Sequence, residues 1–286
     1  MLNPEQPPSL EQSPEPLDIA AMTIANENHP DRNEDALFAR NAQQCFGVLD
    51  GMGGHPAGDR ASTEARRVII AEIEKLSDTM SLEETADELS RILGQANKCL
   101  LEMANNNSDL KGMGSTVSLV KIWEGPTGER KAVVVNAGDS RVYIQRIDGT
   151  LEQITLDDGI VRATFFGNRA ARVMQTKLNN VTNSTDLTDE ERDMLRHRSQ
   201  ISNHLGDTDM EVRTHAVDVM AGDTILVVSD GVSDNLTDNE ISKILTEAQT
   251  SAEATERLVS EARTRSRSGH FRSKHDDMSA IVTKIL

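Results

Sequence analysis

Two helical stripes follow one another in the first third of the chain, and strands stand before and after them. Leu82, Ala86, Leu89, Leu93, Ala96, Leu100 and Met103 recur at alternating steps of four and three. That spacing puts them on one face of a long helix. Ser81 with Glu84 forms a capping box at its start. Upstream, Ala61, Ala65, Ile69, Ile73 and Leu76 line a helix from about Ala57 to Leu76. Short β-branched runs predict strands at Cys45–Leu49, Ser115–Trp123, Thr224–Val228 and Ser279–Leu286. Lys131–Asn136 and Arg141–Arg146 flank Ala137-Gly138-Asp139-Ser140 and read as a hairpin. Thr237 with Glu240, and Thr250 with Glu253, open two further helices. Strict strand–helix alternation is absent, which disfavours a doubly wound parallel sheet. The expectation is an α+β fold, a four-layer sandwich of two antiparallel sheets packed face to face with helix pairs outside.

The 286 residues are 37% hydrophobic but only 2% aromatic, so the core must be built from Val, Ile, Leu, Ala and Met. Pro4, Pro7, Pro8, Pro14 and Pro16 crowd the N-terminus among Glu, Gln and Ser. Such a stretch buries too little apolar surface to offset its ordering entropy. Residues 1–18 are therefore expected to be a disordered tail, and residues 19–286 one domain. A net charge of -17 repels a phosphate backbone and argues against nucleic-acid binding. Cys45 and Cys99 make neither a disulfide scaffold nor a zinc site, and no run of 18 apolar residues occurs. With no signal peptide visible, the reading is a cytoplasmic protein, a monomer, that stays off membranes.

Chemistry is concentrated at element ends. Asp50-Gly51 and Asp230-Gly231 each end an apolar strand. The glycine is expected to let the chain turn sharply and to bring a backbone carbonyl close to whatever the acid binds. Asp276 precedes the last strand, and Glu34 and Asp35 precede Ala36-Leu37-Phe38. Any single Asp-Gly is ordinary turn chemistry. Together these acids suggest a carboxylate cluster, whose mutual repulsion bound cations relieve. Oxygen-only ligands favour Mg²⁺ or Mn²⁺ over zinc.

Arg32-Asn33-Glu34-Asp35-Ala36, Asp50-Gly51-Met52-Gly53-Gly54-His55, Gly114-Ser115-Thr116-Val117 and Ala137-Gly138-Asp139-Ser140-Arg141 occur in this order, followed by Ser229-Asp230-Gly231 and Asp276-Asp277-Met278-Ser279. The series resembles the metal-dependent protein phosphatases of the type 2C (PPM) family. The resemblance runs from about residue 20 to the C-terminus. It implies a β-sandwich flanked by helix pairs and hydrolysis of phosphoserine or phosphothreonine in proteins. It implies that Asp50 bridges two ions, Mn²⁺ or Mg²⁺. The Gly51 carbonyl completes one of them, Asp230 and Asp276 bind the other, and Glu34 and Asp35 stand behind. Asp139 with Asp230 matches a third site. A hydroxide held between the two ions would attack phosphorus directly.

The chain departs from the pattern in places. Where the family carries a phosphate-binding Arg four residues before the Glu, this chain has Pro30. Arg32 is the candidate substitute. Met52 stands where eukaryotic members carry a proposed general-acid His, and His55 is nearby. His55 is either a proton donor to the leaving oxygen or a turn residue with a structural hydrogen bond. Residues 158–205 match a variable flap and collect Arg162, Arg169, Arg172, Lys177, Arg192, Arg196 and Arg198. This segment is either a basic lid that attracts a phosphopeptide or a solvated loop region. An aspartyl-phosphate phosphatase is excluded, because no second Asp stands two residues from Asp50. The alternative function is an inactive relative that binds phosphoproteins without turning them over.

Overall fold

The computed structural model describes residues 17–52 and 57–286. In chain order the strands are β1 (Leu17–Ile24), β2 (Asp35–Arg40), β3 (Cys45–Met52), β4 (Gly114–Ser115), β5 (Val117–Glu124), β6 (Arg130–Ala137), β7 (Arg141–Gln145), β8 (Leu151–Gln153), β9 (Arg213–Asp218), β10 (Thr224–Val228) and β11 (Met278–Ile285). The helices are α1 (Ala57–Ile73), α2 (Leu82–Asn106), α3 (Ile160–Thr164), α4 (Asn168–Asn180), α5 (Asp189–Arg196), α6 (Asp230–Ser233), α7 (Asp238–Glu247) and α8 (Ser251–Ser266).

The strands pair only antiparallel, in two sheets. One runs β1-β11-β10-β7-β8, the other β2-β3-β5-β6-β9 with β4 added beside β3. Period-two alternation builds the layers. Phe46 and Val48 of β3, Val120 and Ile122 of β5, and Ile225 and Val227 of β10 share the core between the sheets. Their neighbours Cys45, Leu49, Val117 and Leu119 pack instead with Ile69, Ile73, Leu89 and Leu93 of α1 and α2. Leu226 and Val228 pack with Ile241, Ile244 and Leu258 of α7 and α8. Both faces of each sheet are covered, so the expected four-layer sandwich is the fold. Phe46 and Tyr143 are the large aromatics among the fully buried side chains, which are otherwise mostly aliphatic.

The capping boxes expected at Ser81 and Thr237 are present, a further one forms at Thr188, and the Thr250 side chain caps α8. Several expectations need correction. The sandwich begins at Leu17, which pairs with Ile285, so Leu17 and Asp18 belong to the sheet and not to a tail; residues 1–16 lie outside the described residues. The Lys131–Arg146 segment is not a hairpin. β6 lies in one sheet and β7 in the other, and residues 138–140 carry the chain between them. Gly138 has φ +111°, and a Cβ there would lie 2.7 Å from the Thr116 side chain. Both strands are buried on both faces, so their apolar patterns do not say which sheet each joins. The predicted Ser115–Trp123 strand is interrupted at Thr116, whose N–H donates to the Asp50 carbonyl at 2.8 Å.

The flap is a packed insertion with its own small core of Leu156, Val161, Ala171, Leu178, Leu187 and Leu195. Buried Asp158 pins its two ends together. It accepts from Asn203 Nδ2 at 2.5 Å, and its carbonyl accepts from Ser202 N–H at 2.8 Å.

Candidate active site

The motif acids come from distant parts of the chain and meet at one end of the sandwich. Asp50 and Asp35 face each other across the β2–β3 ladder. Thr116 braces Asp50 from the other side, its Oγ1 accepting from the Asp50 N–H at 3.0 Å. Asp230 opens α6 just beyond β10, and Asp276 precedes β11, the neighbour of β10. Asp139 lies in the crossing between the sheets and is 5% exposed.

The two Asp-Gly glycines have a different reason from the one expected. Neither is in the left-handed region. A Cβ on Gly51 would lie 2.2 Å from the Gly58 carbonyl oxygen and 2.6 Å from that of Glu34. One on Gly231 would lie 1.9 Å from the Asp277 carbonyl oxygen. Close backbone approach, not a sharp turn, demands glycine at both.

Burial pushes the Asp50 carboxyl well above the usual carboxylate range, and Asp35, Asp230 and Asp276 push the same way. Burial likewise raises Asp139, with Asp230 adding to it. Asp35 is raised by burial although Ser229 donates to its Oδ2 at 2.7 Å. Asp230 is pushed up to about 6 by burial, with Lys274 opposing. Asp35 Oδ1 and Asp230 Oδ1 are buried without a hydrogen-bond partner. Glu34 Oε1 shares that state, its 3.2 Å approach to Arg32 Nε being an ion pair without hydrogen-bond geometry. An all-oxygen set with orphaned buried oxygens fits hard divalent cations. As the side chains stand, no three acids, histidines or cysteines among the described residues converge closely enough to grip an ion. The Lys274 ammonium sits among Asp230, Asp234 and Asp276.

The protein phosphatase 2C family model matches residues 26–266. This chain belongs to the protein phosphatase 2C family. The serine/threonine protein phosphatase PstP of Mycobacterium tuberculosis is 30% identical over 227 residues, covering 79% of this chain and 38% of PstP. The chain thus spans well under half of that relative's length. The crystal structure of serine/threonine phosphatase Stp1 from Staphylococcus aureus superposes with a TM-score of 0.75 at 26% identity, covering 94% of this chain and 95% of Stp1. The catalytic domain of PstP, solved in complex with 2 manganese ions, has a TM-score of 0.70 at 26% identity, covering 94% of this chain and 98% of that domain.

Within this 2C-family site, several residues take parts that motif reading missed. Asp277 is buried and its two oxygens accept backbone N–H groups of Asn26 and Glu34, each at 2.6 Å. It ties the start of β11 to the segment that carries Glu34. Asp234, 3% exposed, is held by Arg198 at 2.7 Å. Burial would raise its acid, but the charges of Arg198, Lys274 and Arg141 hold it at about 2. Asp234 could have been suspected from its place one turn after Asp230. The partner could not, since Arg198 is 36 positions upstream.

Most basic side chains of the flap have partners within the protein. Arg162 pairs with Asp158, Lys177 with Glu191 and Arg192 with Asp189. Arg172 donates to the carbonyls of Gln153 and Ile154. Arg198 is a strut, not a lid residue, and also donates to the Arg272 carbonyl at 2.9 Å. Arg169 is exposed, and Arg196 is largely so, 3.8 Å from Asp193. Most of the flap's basic charge is therefore engaged within the protein. His55 lies outside the described residues.

Proposed function

We propose that this chain is a metal-dependent phosphatase that removes phosphate from phosphoserine and phosphothreonine in proteins, using two Mn²⁺ or Mg²⁺ ions. The observation that carries this reading is the meeting of Asp35, Asp50, Asp139, Asp230 and Asp276 at one end of the sandwich, with Lys274 as the cation among them. Bound divalent ions would offset that charge and supply the Lewis acidity that makes water a nucleophile near neutral pH. Asp50, the Gly51 carbonyl, Asp230 and Asp276 are the groups that would hold the two ions, with Asp50 shared between them. Asp139 with Asp230 would hold a third ion. Glu34 and Asp35 stand behind these ligands and orient them. Arg32 binds the substrate phosphate in place of the residue that Pro30 displaces, exchanging its Glu34 partner for the phosphate. His55 is the proton donor to the leaving oxygen.

The end of the flap region is tied to β4, the neighbour of Gly51, by a two-way backbone bridge between Ser115 and Leu205. The acidic surface argues against nucleic-acid partners. No helix among the described residues is long and apolar enough to cross a membrane. Cys45 and Cys99 are unpaired thiols, which suits the cytoplasm.

The deciding experiment is hydrolysis of a phosphothreonine peptide with added Mn²⁺, with EDTA and Asp50→Asn as controls. Turnover well above both controls is expected. Phosphopeptide binding with no turnover above the controls would instead make the chain a non-catalytic phosphoprotein binder.

A further inference from the structure

The acid cluster contains a basic side chain that no motif announced. Lys274 touches Asp230 Oδ2, lies 2.9 Å from Asp276 Oδ2 and 3.6 Å from Asp234 Oδ2. Its backbone is fastened for that purpose. Lys274 N–H donates to Asn235 Oδ1 at 3.0 Å, and Asn235 Nδ2 donates back to the Lys274 carbonyl at 2.9 Å. Asn235 is fully buried at the end of α6 and also donates to the Gly231 carbonyl at 2.8 Å. The segment before β11 is thus locked to the helix that carries Asp230, and the lysine stem is directed between Asp230 and Asp276.

We infer that Lys274 is a built-in counter-cation that exchanges with one of the metal ions, holding Asp230 and Asp276 together until an ion takes its place. The inference rests on the proposed role of those two acids as ligands of a common ion. Three physical points support it. Lys274 is the cation that Asp50, Asp139 and Asp230 share as a neighbour, so it offsets part of the charge of the metal-free cluster. An ammonium in contact with both carboxylates occupies the space an ion bridging them needs. A lysine is a point charge on a flexible stem, able to withdraw where a forked guanidinium would stay fixed. Asp234, which caps the C-terminal end of the same short helix and already lies within 3.6 Å, is the seat it withdraws to. The consequence is an ion site weaker than its carboxylates alone would make it, in a protein that stays folded between metal-loaded states.

Calorimetric Mn²⁺ titration of wild type, Lys274→Met and Lys243→Met tests this. Lys243 is an exposed residue of α7, 72% exposed at the side chain, and controls for net charge. Lys274→Met should tighten one Mn²⁺ site by at least about tenfold, as expected when a like charge leaves contact distance, while Lys243→Met should not. Unchanged or weaker affinity in Lys274→Met overturns the inference but leaves the metal-site reading standing. A wild type that binds no Mn²⁺ overturns both. Wild-type protein gives a second reading that does not depend on the variant folding. Reductive methylation of Lys274, followed by peptide mass spectrometry, should accelerate several-fold when Mn²⁺ saturates the protein. Equal or slower modification with Mn²⁺ contradicts the exchange.

Discussion

Two sets of buried and half-buried aspartates lie side by side in this molecule. Along the seam with the flap, each acid has its own arginine. Asp157 receives Arg141 through both oxygens, at 3.0 and 2.7 Å. Asp234 faces Arg198 at 2.7 Å, and Asp158 lies between Arg162 at 3.1 Å and Arg213 at 3.3 Å. At the end of the sandwich, Asp50, Asp139 and Asp230 share Lys274, and Asp35 is answered only by hydroxyl groups such as Ser229. Asp50 and Asp157 are half-buried and the others buried, so each set mixes the two and burial does not separate them; the compensation does. A buried acid with a dedicated guanidinium is structural, because the pair already satisfies both charges. A buried acid without one is held in an unfavourable state by the rest of the fold, and that state is useful only if a cation arrives.

The sharpest test is to remove a dedicated partner. Arg141→Ala leaves the largely enclosed Asp157 carboxylate with Gln153 Nε2 but no cation, and should lower unfolding free energy by about 3–5 kcal/mol, measured by urea denaturation. A loss below about 1 kcal/mol, within the ordinary range for a surface pair, would erase the distinction.

Arg198→Ala should cost less, about 2 kcal/mol, because Lys274 still faces Asp234. Its pH dependence has a definite sign. Asp234 is held at about 2, below its ordinary value of 3.8. The stabilisation is therefore present above about pH 4 and is lost as pH falls toward 2. The wild-type advantage over Arg198→Ala should shrink over that window. A constant gap from pH 7 to pH 3 would mean that Arg198 acts through packing alone.

The smallest expected effect has the opposite sign. Asp139→Asn should raise the metal-free melting temperature, by about 1 kcal/mol of stability, since it removes a buried charge with no arginine of its own. Burial raises the Asp139 acid, so the ionised form is disfavoured in the folded state as pH rises through its folded value. The gain from Asn should be largest at high pH and fade on acidification. A destabilised Asp139→Asn at pH 7 would place Asp139 with the structural acids.

Much of this was legible from sequence because it depends on neighbours along the chain. The α2 stripe, the capping boxes and the apolar runs of β3, β10 and β11 follow from local spacing. The candidate acids were legible for a related reason. Asp50-Gly51 stands in the last residues of β3 and Asp230-Gly231 just past β10, whatever those strands join. What escaped was pairing over long separations. The β6–β7 segment looks like a hairpin because adjacent strands usually pair, yet Gly138 sends them to different sheets. The flap arginines looked free because their acids and carbonyls are visible only once the insertion folds.

The sequence by itself determined the layers and the identity of the candidate ligands, since both are set by periodicity and by residue type. Only the tertiary structure decided which acids are compensated. Charge compensation is a matter of distance in space, and Lys274 and Arg198 reach Asp230 and Asp234 across 44 and 36 positions of chain.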